Sequence, residues 1–345
     1  MSWWKQPTQP LNPIAQQNAT ARQQVLTKPP GSLGQLESLA IQLAAMQERE
    51  APCCDQIHIS IFAADHGIAA KGVSAFPQAV TTEMVKNFAA GGAAISVLAR
   101  QLNAHFEVVN LGTLFEVAPH AQIVDARIAA GTADFSEHAA MTAEQLEQAL
   151  EQGRQAALRA KAAQCQLFIG GEMGIGNTTS ASALVAQQLN VAAIDVVGPG
   201  TGLAADQLPA KAQWIEQARA LHQPANAYET LRCLGGFEIA GLTGAYIACA
   251  QQGITVLVDG FISTAAALMA TALNPECRDW MLFSHQSAEP AHQAVLNALD
   301  AQPLLSLGMR LGEGSGAAVA ATLLRSACAL HNGMATFEQA GVSES

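Results

Sequence analysis

Residues 166–189, QLFIGGEMGIGNTTSASALVAQQL, contain the pattern that decides the fold. The apolar run over residues 166–169 predicts a buried strand, and a helix is predicted to continue to Leu189. Glycines and then hydroxyl residues connect the two. Backbone N–H groups of such a loop, together with the positive end of the following helix, bind anions. The stretch therefore predicts a phosphate site.

The loop inside this stretch does not match the two common nucleotide motifs. It lacks the Gly-Lys-Ser/Thr ending of a Walker loop, and its glycine spacing differs from that of a dinucleotide fingerprint. Glu172 in this loop has two interpretations: it could hold ribose hydroxyls, or it could satisfy backbone donors in the turn. We favour phosphate binding for the loop as a whole.

Strands and helices alternate along most of the chain, and glycine-rich loops follow many of the strands. The predicted strands cover residues 57–64, 106–111, 123–128, 166–169, 254–258 and 281–284. This alternation predicts an α/β fold, with a parallel sheet flanked by helices in a Rossmann-like three-layer arrangement.

The N-terminal helices and part of the C-terminal region fall outside the alternation. They are predicted to form a smaller helical subdomain, to which about residues 1–50 contribute, beside an α/β core over about residues 55–330. No linker divides the chain, so residues 1–345 are predicted to be a single domain. Residues after Gly333 look like a loose tail. Lys28 precedes a rigid Pro-Pro-Gly turn and either belongs to a plain linker or reaches an anion.

The chain is acidic and carries few charges. Half of its 345 residues are hydrophobic and only 13% are charged, so it must bury much of its surface in a core or in an oligomer interface. The predicted helix at 239–250 is almost wholly apolar, which requires full burial or an interface and favours a homodimer. A net charge of −11 without basic runs argues against nonspecific nucleic-acid binding. A small anionic substrate remains possible, because glycine loops bind phosphate with few cations.

The seven cysteines are odd in number, lack paired metal spacing and lie mostly in apolar surroundings. They indicate reduced, buried thiols in a cytoplasmic protein, and the sequence offers no metal cluster. The N-terminus lacks a signal-peptide core. No membrane segment is predicted either, because Asp259 and Gly260 interrupt the best candidate at residues 254–273.

Polar residues follow two of the predicted strands directly. Asp65 and His66 come after residues 57–64, and Asp259 comes after residues 254–258. Ligands of α/β proteins bind at the carboxyl ends of the strands, so these side chains are placed for chemistry. One open alternative is a phosphate-binding lyase, isomerase or hydrolase that uses this set. Another is a nucleotide-binding or scaffold protein without catalytic activity.

The segment RLGEGSG at residues 310–316 places one carboxylate, Glu313, among glycines and apolar residues. A long apolar stretch over residues 317–330 follows, so Glu313 is predicted to lie where a loop enters a helix. With few side chains to solvate it, its pKa is expected to be raised, which suits a general base near neutral pH. The alternative is an acid that the helix dipole favours at a helix start.

Seven segments, taken together and in order, resemble one family. They are KPPGSLG at 28–34, ADHG at 64–67, GEMG at 171–174 with NTT at 177–179, GGF at 235–237, LVDGF at 257–261, SH with SAE at 284–289, and RLGEGSG at 310–316. They resemble the nicotinate-nucleotide:dimethylbenzimidazole phosphoribosyltransferases of the lower-ligand branch of cobalamin synthesis. The resemblance implies transfer of the phosphoribosyl group of nicotinate mononucleotide to 5,6-dimethylbenzimidazole, which gives alpha-ribazole 5'-phosphate and nicotinate. That chemistry needs one base and no metal or other cofactor.

The resemblance also implies roles for individual residues. Glu313 would be the base. The slot for the aromatic base would be lined by Phe76, Met84, Met173, Ile175 and Leu311. The phosphoribosyl group would be surrounded by Glu172, Gly174, Gly176, Asn177, Thr178, Gly202 and Lys211.

The role of Lys211, the oligomeric state and the acceptor base remain to be considered. Lys211 lies on a helix predicted at 206–221, where an exposed helix lysine is the alternative to a phosphate ligand. The resemblance implies a homodimer. The preferred acceptor is left open, because a benzimidazole, a purine or a phenol would fit a flat apolar slot.

Overall fold

The computed structural model describes residues 2–343, and within them six strands form one parallel sheet in the order β3-β2-β1-β4-β5-β6. The strands are β1 (Ile57–Ala64), β2 (His105–Gly112), β3 (Ile123–Asp125), β4 (Leu167–Met173), β5 (Thr255–Val258) and β6 (Met281–Phe283). The helices are α1 (Pro13–Val25), α2 (Gln35–Gln47), α3 (Ala79–Ala90), α4 (Ala94–Leu102), α5 (Ala143–Ala162), α6 (Asn177–Leu189), α7 (Leu208–His222), α8 (Ala227–Leu234), α9 (Phe237–Gln252), α10 (Phe261–Leu273), α11 (His292–Ala298), α12 (Ser315–Gly333) and α13 (Phe337–Ala340). The predicted α/β fold with a parallel sheet between helices is confirmed.

The strand order determines where a ligand can bind. The chain begins in the middle of the sheet with β1, winds outward to β3, and returns beside β1 as β4. It then winds in the opposite direction to β6. The loops that leave β1 and β4 therefore diverge to opposite faces and open a crevice at their carboxyl ends, where doubly wound folds bind their ligands.

β4 is longer than the sequence predicted. Its pairing with β1 continues from Leu167 opposite Ile57 to Met173 opposite Ala63. The ladder with this fully buried neighbour keeps the two glycines at 170–171 extended, although their intrinsic preference is for a loop. Glu172 consequently lies at the end of a strand and not in the loop that follows. β3, at the edge of the sheet, is shorter than predicted: it ends at Asp125, whereas the sequence predicted a strand up to residue 128.

Helix α9 is buried within its own chain. Its residues from Phe237 to Ala250 are all buried, and the helix packs on the sheet, on α5 and on α10. The approach to α5 depends on glycine, because a Cβ on Gly153 would collide with the backbone at Gly241. The apolar composition of α9 is thus explained without an oligomer interface, and the homodimer stays a prediction.

The N- and C-terminal parts of the chain pack together, since α2 contacts both α1 and α12. The predicted loose tail after Gly333 is wrong: Leu26 bridges to Thr336, and Thr336 starts α13 with a capping box. Lys28 is buried and forms an ion pair with Glu37 at 2.8 Å, so the anion that it reaches belongs to its own chain.

The seven cysteines are free thiols, and five of them are buried, as predicted. Within residues 2–343 no helix is long and apolar enough to cross a membrane.

Candidate active site

A cleft of about 290 Å³ opens at the carboxyl ends of β4, β5 and β6. Its walls are the loops that follow these strands, the loop that precedes α12, and part of the segment that leads into α3. Nine residues that the sequence analysis named line this cleft: Phe76, Glu172, Met173, Gly174, Ile175, Asn177, Thr178, Leu311 and Glu313.

Glu313 lies on the cleft in an unusual backbone conformation. Its φ is +63°, in the left-handed region that residues other than glycine rarely adopt. The loop passes directly over β4, where a Cβ on Gly171 would be only 2.5 Å from the carbonyl oxygen of Glu313. Gly171 is therefore required for this close approach, and the strained turn is held by its surroundings.

Asp259 holds the Glu313 loop from below. Its carboxylate, at the end of β5, accepts a hydrogen bond from the backbone N–H of Gly314 at 3.1 Å and from that of Ala317 at 2.8 Å. These amides belong to the first turn of α12, so the negative charge also faces the positive end of a long helix. His285, which lines the cleft, lies 3.8 Å from the same carboxylate.

The Glu313 carboxyl group has the environment of a base. Burial raises its pKa, and the charge of Asp259 acts in the same direction, whereas the backbone amide of Ile95 opposes the rise. Oε2 is buried and has no hydrogen-bond partner among residues 2–343. An unpaired carboxylate oxygen with a raised pKa at a cleft is poised to accept a proton.

Glu172 is a second buried carboxyl group at this cleft. Burial raises its pKa to about 8, and the charges of Asp259 and Glu238 contribute. The Asn177 amide donates to Glu172 Oε2 at 2.5 Å, which fixes the orientation of the carboxyl group. This pKa favours the protonated form of Glu172 near neutral pH, which can donate as well as accept a hydrogen bond.

The start of α6, which the sequence predicted as an anion subsite, lies beside Glu172. Gly176 turns into the helix with a φ of +97°, and the helix start directs its positive end toward this part of the cleft, although the Asn177 N–H already donates to the Gly174 carbonyl at 3.0 Å. Lys211 supports this turn from behind: its ammonium donates to Thr178 Oγ1 at 2.9 Å and to the Gly198 carbonyl at 3.0 Å. Lys211 is almost fully buried, so the exposed-lysine alternative is wrong. Burial lowers its pKa to about 8.

Two further charged residues of the cleft received no role from the sequence. Arg310 donates to the Gly200 carbonyl at 3.3 Å. It thereby connects the loop that carries Glu313 to a second glycine-rich loop, at residues 198–203. Glu289 lines the cleft; burial raises its pKa, while the charges of Lys211 and Arg310 lower it. Glu289 lies in the SAE segment and Arg310 in the RLGEGSG segment, both of which carry the family resemblance. The sequence therefore marked both segments, but it did not predict what these two side chains contact.

The comparisons with known proteins agree with this geometry. A phosphoribosyltransferase family model matches residues 8–342. The chain is 58% identical to the nicotinate-nucleotide–dimethylbenzimidazole phosphoribosyltransferase of Pseudomonas savastanoi pv. phaseolicola, over 99% of this chain and 98% of that protein. It is 57% identical to the enzyme of the same name from Pseudomonas aeruginosa, over 100% of this chain and 99% of that protein. The chain belongs to the nicotinate-nucleotide–dimethylbenzimidazole phosphoribosyltransferase family.

A solved structure shows that a relative shares the fold of this phosphoribosyltransferase. The crystal structure of CobT from Thermus thermophilus superposes with a TM-score of 0.93 at 41% sequence identity, covering 96% of this chain and 100% of that chain. The doubly wound sheet is therefore shared over nearly the whole length.

Four of the residues named from the sequence do not line the cleft of the phosphoribosyltransferase. Gly176 and Lys211 lie just behind the anion subsite described above. Met84 is half-buried in α3 and packs on the core. Gly202 lies in the exposed second glycine loop with a φ of +106°, with nothing within 4 Å of where its Cβ would be. The proposed contacts of Met84 and Gly202 with ligand therefore stay predictions.

The catalytic set of the lyase, isomerase or hydrolase alternative lies beneath the cleft. His66 and Glu238 are fully buried and pair with each other at 2.5 Å. Asp65 is equally buried and accepts hydrogen bonds from the Thr81 hydroxyl and the Leu114 N–H, each at 2.7 Å. The protein itself thus engages Asp65, His66 Nε2 and Glu238 Oε1, whereas His66 Nδ1 and Glu238 Oε2 are buried without a hydrogen-bond partner among residues 2–343. Within residues 2–343 no cluster of three or more His, Cys, Asp or Glu side chains is arranged to hold a metal ion.

Proposed function

We propose that this cleft transfers the phosphoribosyl group of nicotinate mononucleotide to 5,6-dimethylbenzimidazole or a related base, which gives alpha-ribazole 5'-phosphate and nicotinate. One observation carries the proposal: Glu313, whose buried Oε2 has no hydrogen-bond partner among residues 2–343, and the start of α6 line the same cleft. A base and a phosphate subsite are the two elements that this transfer needs. In the cell, the product would supply the lower ligand of cobalamin.

The reaction needs one proton acceptor. A ring nitrogen of the benzimidazole attacks the anomeric carbon of the ribose from the face opposite the pyridinium. The new C–N bond forms as the old one breaks, and the electron pair of the broken bond neutralises the pyridinium as nicotinate leaves. The azole N–H proton passes to Glu313. Because burial raises the Glu313 pKa, its carboxylate is a stronger base than an exposed one.

The phosphoribosyl group would lie over the loop after β4. Its phosphate would lie against Asn177 and accept hydrogen bonds from the backbone N–H groups of Gly176 and Thr178, with the Lys211 ammonium as the nearby countercharge. The ribose would lie against Gly174, which lines the cleft, and Glu172 would bind a ribose hydroxyl. Gly202 would close the phosphate side from the second glycine loop.

The aromatic acceptor would lie between apolar side chains at the other end of the cleft. Phe76 and Leu311 are each more than half exposed although they line the cleft. Exposed apolar groups in a concave site mark surface that a flat apolar ligand covers. Met173, at the end of β4, and Ile175, in the loop that follows, would also line the slot. Met84, which is further back in α3, would act only by packing behind the slot.

The test is an incubation of the protein with nicotinate mononucleotide and a panel of bases, with the products identified by mass. The expected result is an α-ribotide whose formation, together with nicotinate release, depends on the added base. Glu313→Gln should lower kcat about 10²- to 10⁴-fold with nearly unchanged nucleotide binding, because Gln keeps the shape and loses the base. Glu83→Gln, on the exposed face of α3, is the control. Normal turnover of Glu313→Gln would exclude Glu313 as the base, and hydrolysis without acceptor would favour a hydrolase.

A single-domain chain, a homodimer and a cytoplasmic location complete the proposal. Exposed apolar side chains such as Phe115 and Leu307 are available for an interface between two copies. A light-scattering mass near that of one chain at working concentration would contradict the homodimer.

A further inference from the structure

Thr81 makes a three-way connection that neither the sequence nor the proposed chemistry required. Its hydroxyl donates to Asp65 Oδ1 at 2.7 Å and accepts from the backbone N–H of Ile175 at 3.1 Å. A backbone N–H can only donate, so the hydroxyl must accept from Ile175 and its own hydrogen is left for the Asp65 carboxyl group. All three residues are buried.

This connection joins the parts of the chain that form the two sides of the base slot. Thr81 lies in the first turn of α3, directly after the segment that carries Phe76. Ile175 lies in the loop between β4 and α6 and lines the cleft together with Phe76. Asp65 fixes the connection to the sheet, because its second oxygen accepts the Leu114 N–H at 2.7 Å.

We propose that the Thr81 hydroxyl is a positioning group that sets the width of the slot for the aromatic base, by fixing Ile175 relative to the segment that carries Phe76. Thr81 does not line the cleft and acts through Ile175. The proposal also gives Asp65 a role: its carboxyl group orients the hydroxyl so that a lone pair faces the Ile175 N–H. The inference rests on the function proposed above.

The segment before α3 has a second, independent attachment. The Gln78 side-chain amide donates to the His66 carbonyl at 2.9 Å, a contact that does not involve Ile175. Loss of the Thr81 hydroxyl should therefore leave α3 in place while the Ile175 N–H loses its partner. A buried N–H without a partner favours a local shift of its loop.

The next residue in the chain provides a matched control. Thr82 is also buried in the first turn of α3, and its hydroxyl has no hydrogen-bond partner in the described part of the chain. Replacement of either threonine by valine changes the same atoms in the same helix. The two variants differ in whether a hydrogen-bonded hydroxyl is lost.

The experiment compares Thr81→Val, Thr81→Ser and Thr82→Val in the full-length protein. For Thr81→Val, the KM for 5,6-dimethylbenzimidazole should rise about tenfold, while the KM for nicotinate mononucleotide changes less than about twofold. Thr81→Ser should behave like the wild type, because it restores the hydroxyl. Thr82→Val should also behave like the wild type. If Thr81→Val does not fold, Thr81→Cys, with a similar volume and a weak hydrogen-bonding group, takes its place.

Several outcomes would overturn the proposal. An unchanged KM for the base in Thr81→Val, an equal change in Thr82→Val, or equal changes in both KM values would each do so, since a merely structural role does not act on one substrate alone. Calorimetric binding of 5,6-dimethylbenzimidazole to the ligand-free variants gives a second readout that does not depend on turnover. A wild type that forms no ribotide contradicts the proposed function. An active wild type with a Thr81→Val variant that binds the base normally contradicts only the positioning role.

Discussion

Replacing Glu172 with Gln is expected to make the ligand-free enzyme more stable above neutral pH. Burial raises the pKa of Glu172 from its ordinary value of 4.5 to about 8. A raised pKa contributes stability that is complete below the unfolded-state pKa and is lost as the pH rises through the folded-state pKa. The wild type should therefore lose stability from about pH 4.5 to about pH 8. The Gln side chain stays neutral, so the variant loses none of this stability.

The size of the effect follows from the difference between the two pKa values. Each pH unit between them costs the wild type about 1.4 kcal/mol, or about 5 kcal/mol in full. Between about pH 6 and about pH 9, the free energy of unfolding of the wild type should fall by about 3 kcal/mol relative to the variant. Gln keeps an oxygen for the Asn177 amide that now donates to Glu172, so the variant preserves that hydrogen bond.

The assay is urea denaturation of the ligand-free protein at a series of pH values. Glu83→Gln serves as the control, because Glu83 is exposed on α3 and its replacement should leave the curve unchanged. Parallel curves for the wild type and Glu172→Gln would refute the argument that burial holds this carboxyl group neutral. Destabilisation of the variant at every pH would refute it as well, since it would mean that the fold requires the ionised carboxylate.

The further predictions concern two charged residues, Lys211 in α7 and Glu107 in β2. Lys211→Met should raise the KM for nicotinate mononucleotide about 10- to 100-fold with little change in the KM for the base, because the buried ammonium is lost from the phosphate side. The control is Lys86→Met, a change at an exposed lysine of α3. An effect of Lys211→Met no larger than that of the control would contradict this prediction. Loss of the Lys211 charge should also lower the nucleotide affinity of the wild type as the pH rises through about 8, the Lys211 pKa, and this contribution should be missing in the variant, where only that of Glu172 remains. Burial alone would raise the pKa of Glu107, but the His58 imidazole, 3.4 Å from its Oε1, and hydrogen bonds from Arg159 lower it to about 2. A lowered pKa contributes stability that is present above about pH 4.5 and is lost as the pH falls to about 2, so acid titrations should show a loss of about 3 kcal/mol in the wild type that Glu107→Gln lacks. Identical acid unfolding of the two proteins would contradict this assignment.

The sequence was most informative where the signal is local. The pattern at residues 166–189 correctly predicted a strand, a glycine loop and a helix, because neighbouring residues determine the path of the backbone. The apolar runs predicted β1 and β5 within one residue. The end of β4 was missed, since a ladder with β1 holds two glycines extended, and ladders join residues far apart in sequence.

Contacts between distant segments were not accessible to the same reasoning. Asp259 was recognised as a polar residue at a strand end, but its hydrogen bonds to Gly314 and Ala317 span more than fifty residues. The direction in which a strand-end side chain points was equally hidden. Asp65 directly follows β1 and Glu172 lies at the end of the neighbouring strand β4, yet Asp65 is buried beneath the cleft and Glu172 lines it. The direction of such a side chain depends on how the neighbouring loops pack against it, and the sequence alone does not predict that packing.

The concentration of carboxyl groups has a consequence for the proposed reaction. Burial raises the pKa values of Glu172, Asp259 and Glu313, so ionising them together in the empty cleft is unfavourable. A ligand with a positive charge would favour their ionised forms. Nicotinate mononucleotide carries that charge on its pyridinium ring and loses it at the moment nicotinate leaves. The same carboxylates would therefore attract the substrate and repel the departing anion, and Glu313 would be most readily ionised, as a base must be, while the pyridinium is still bound.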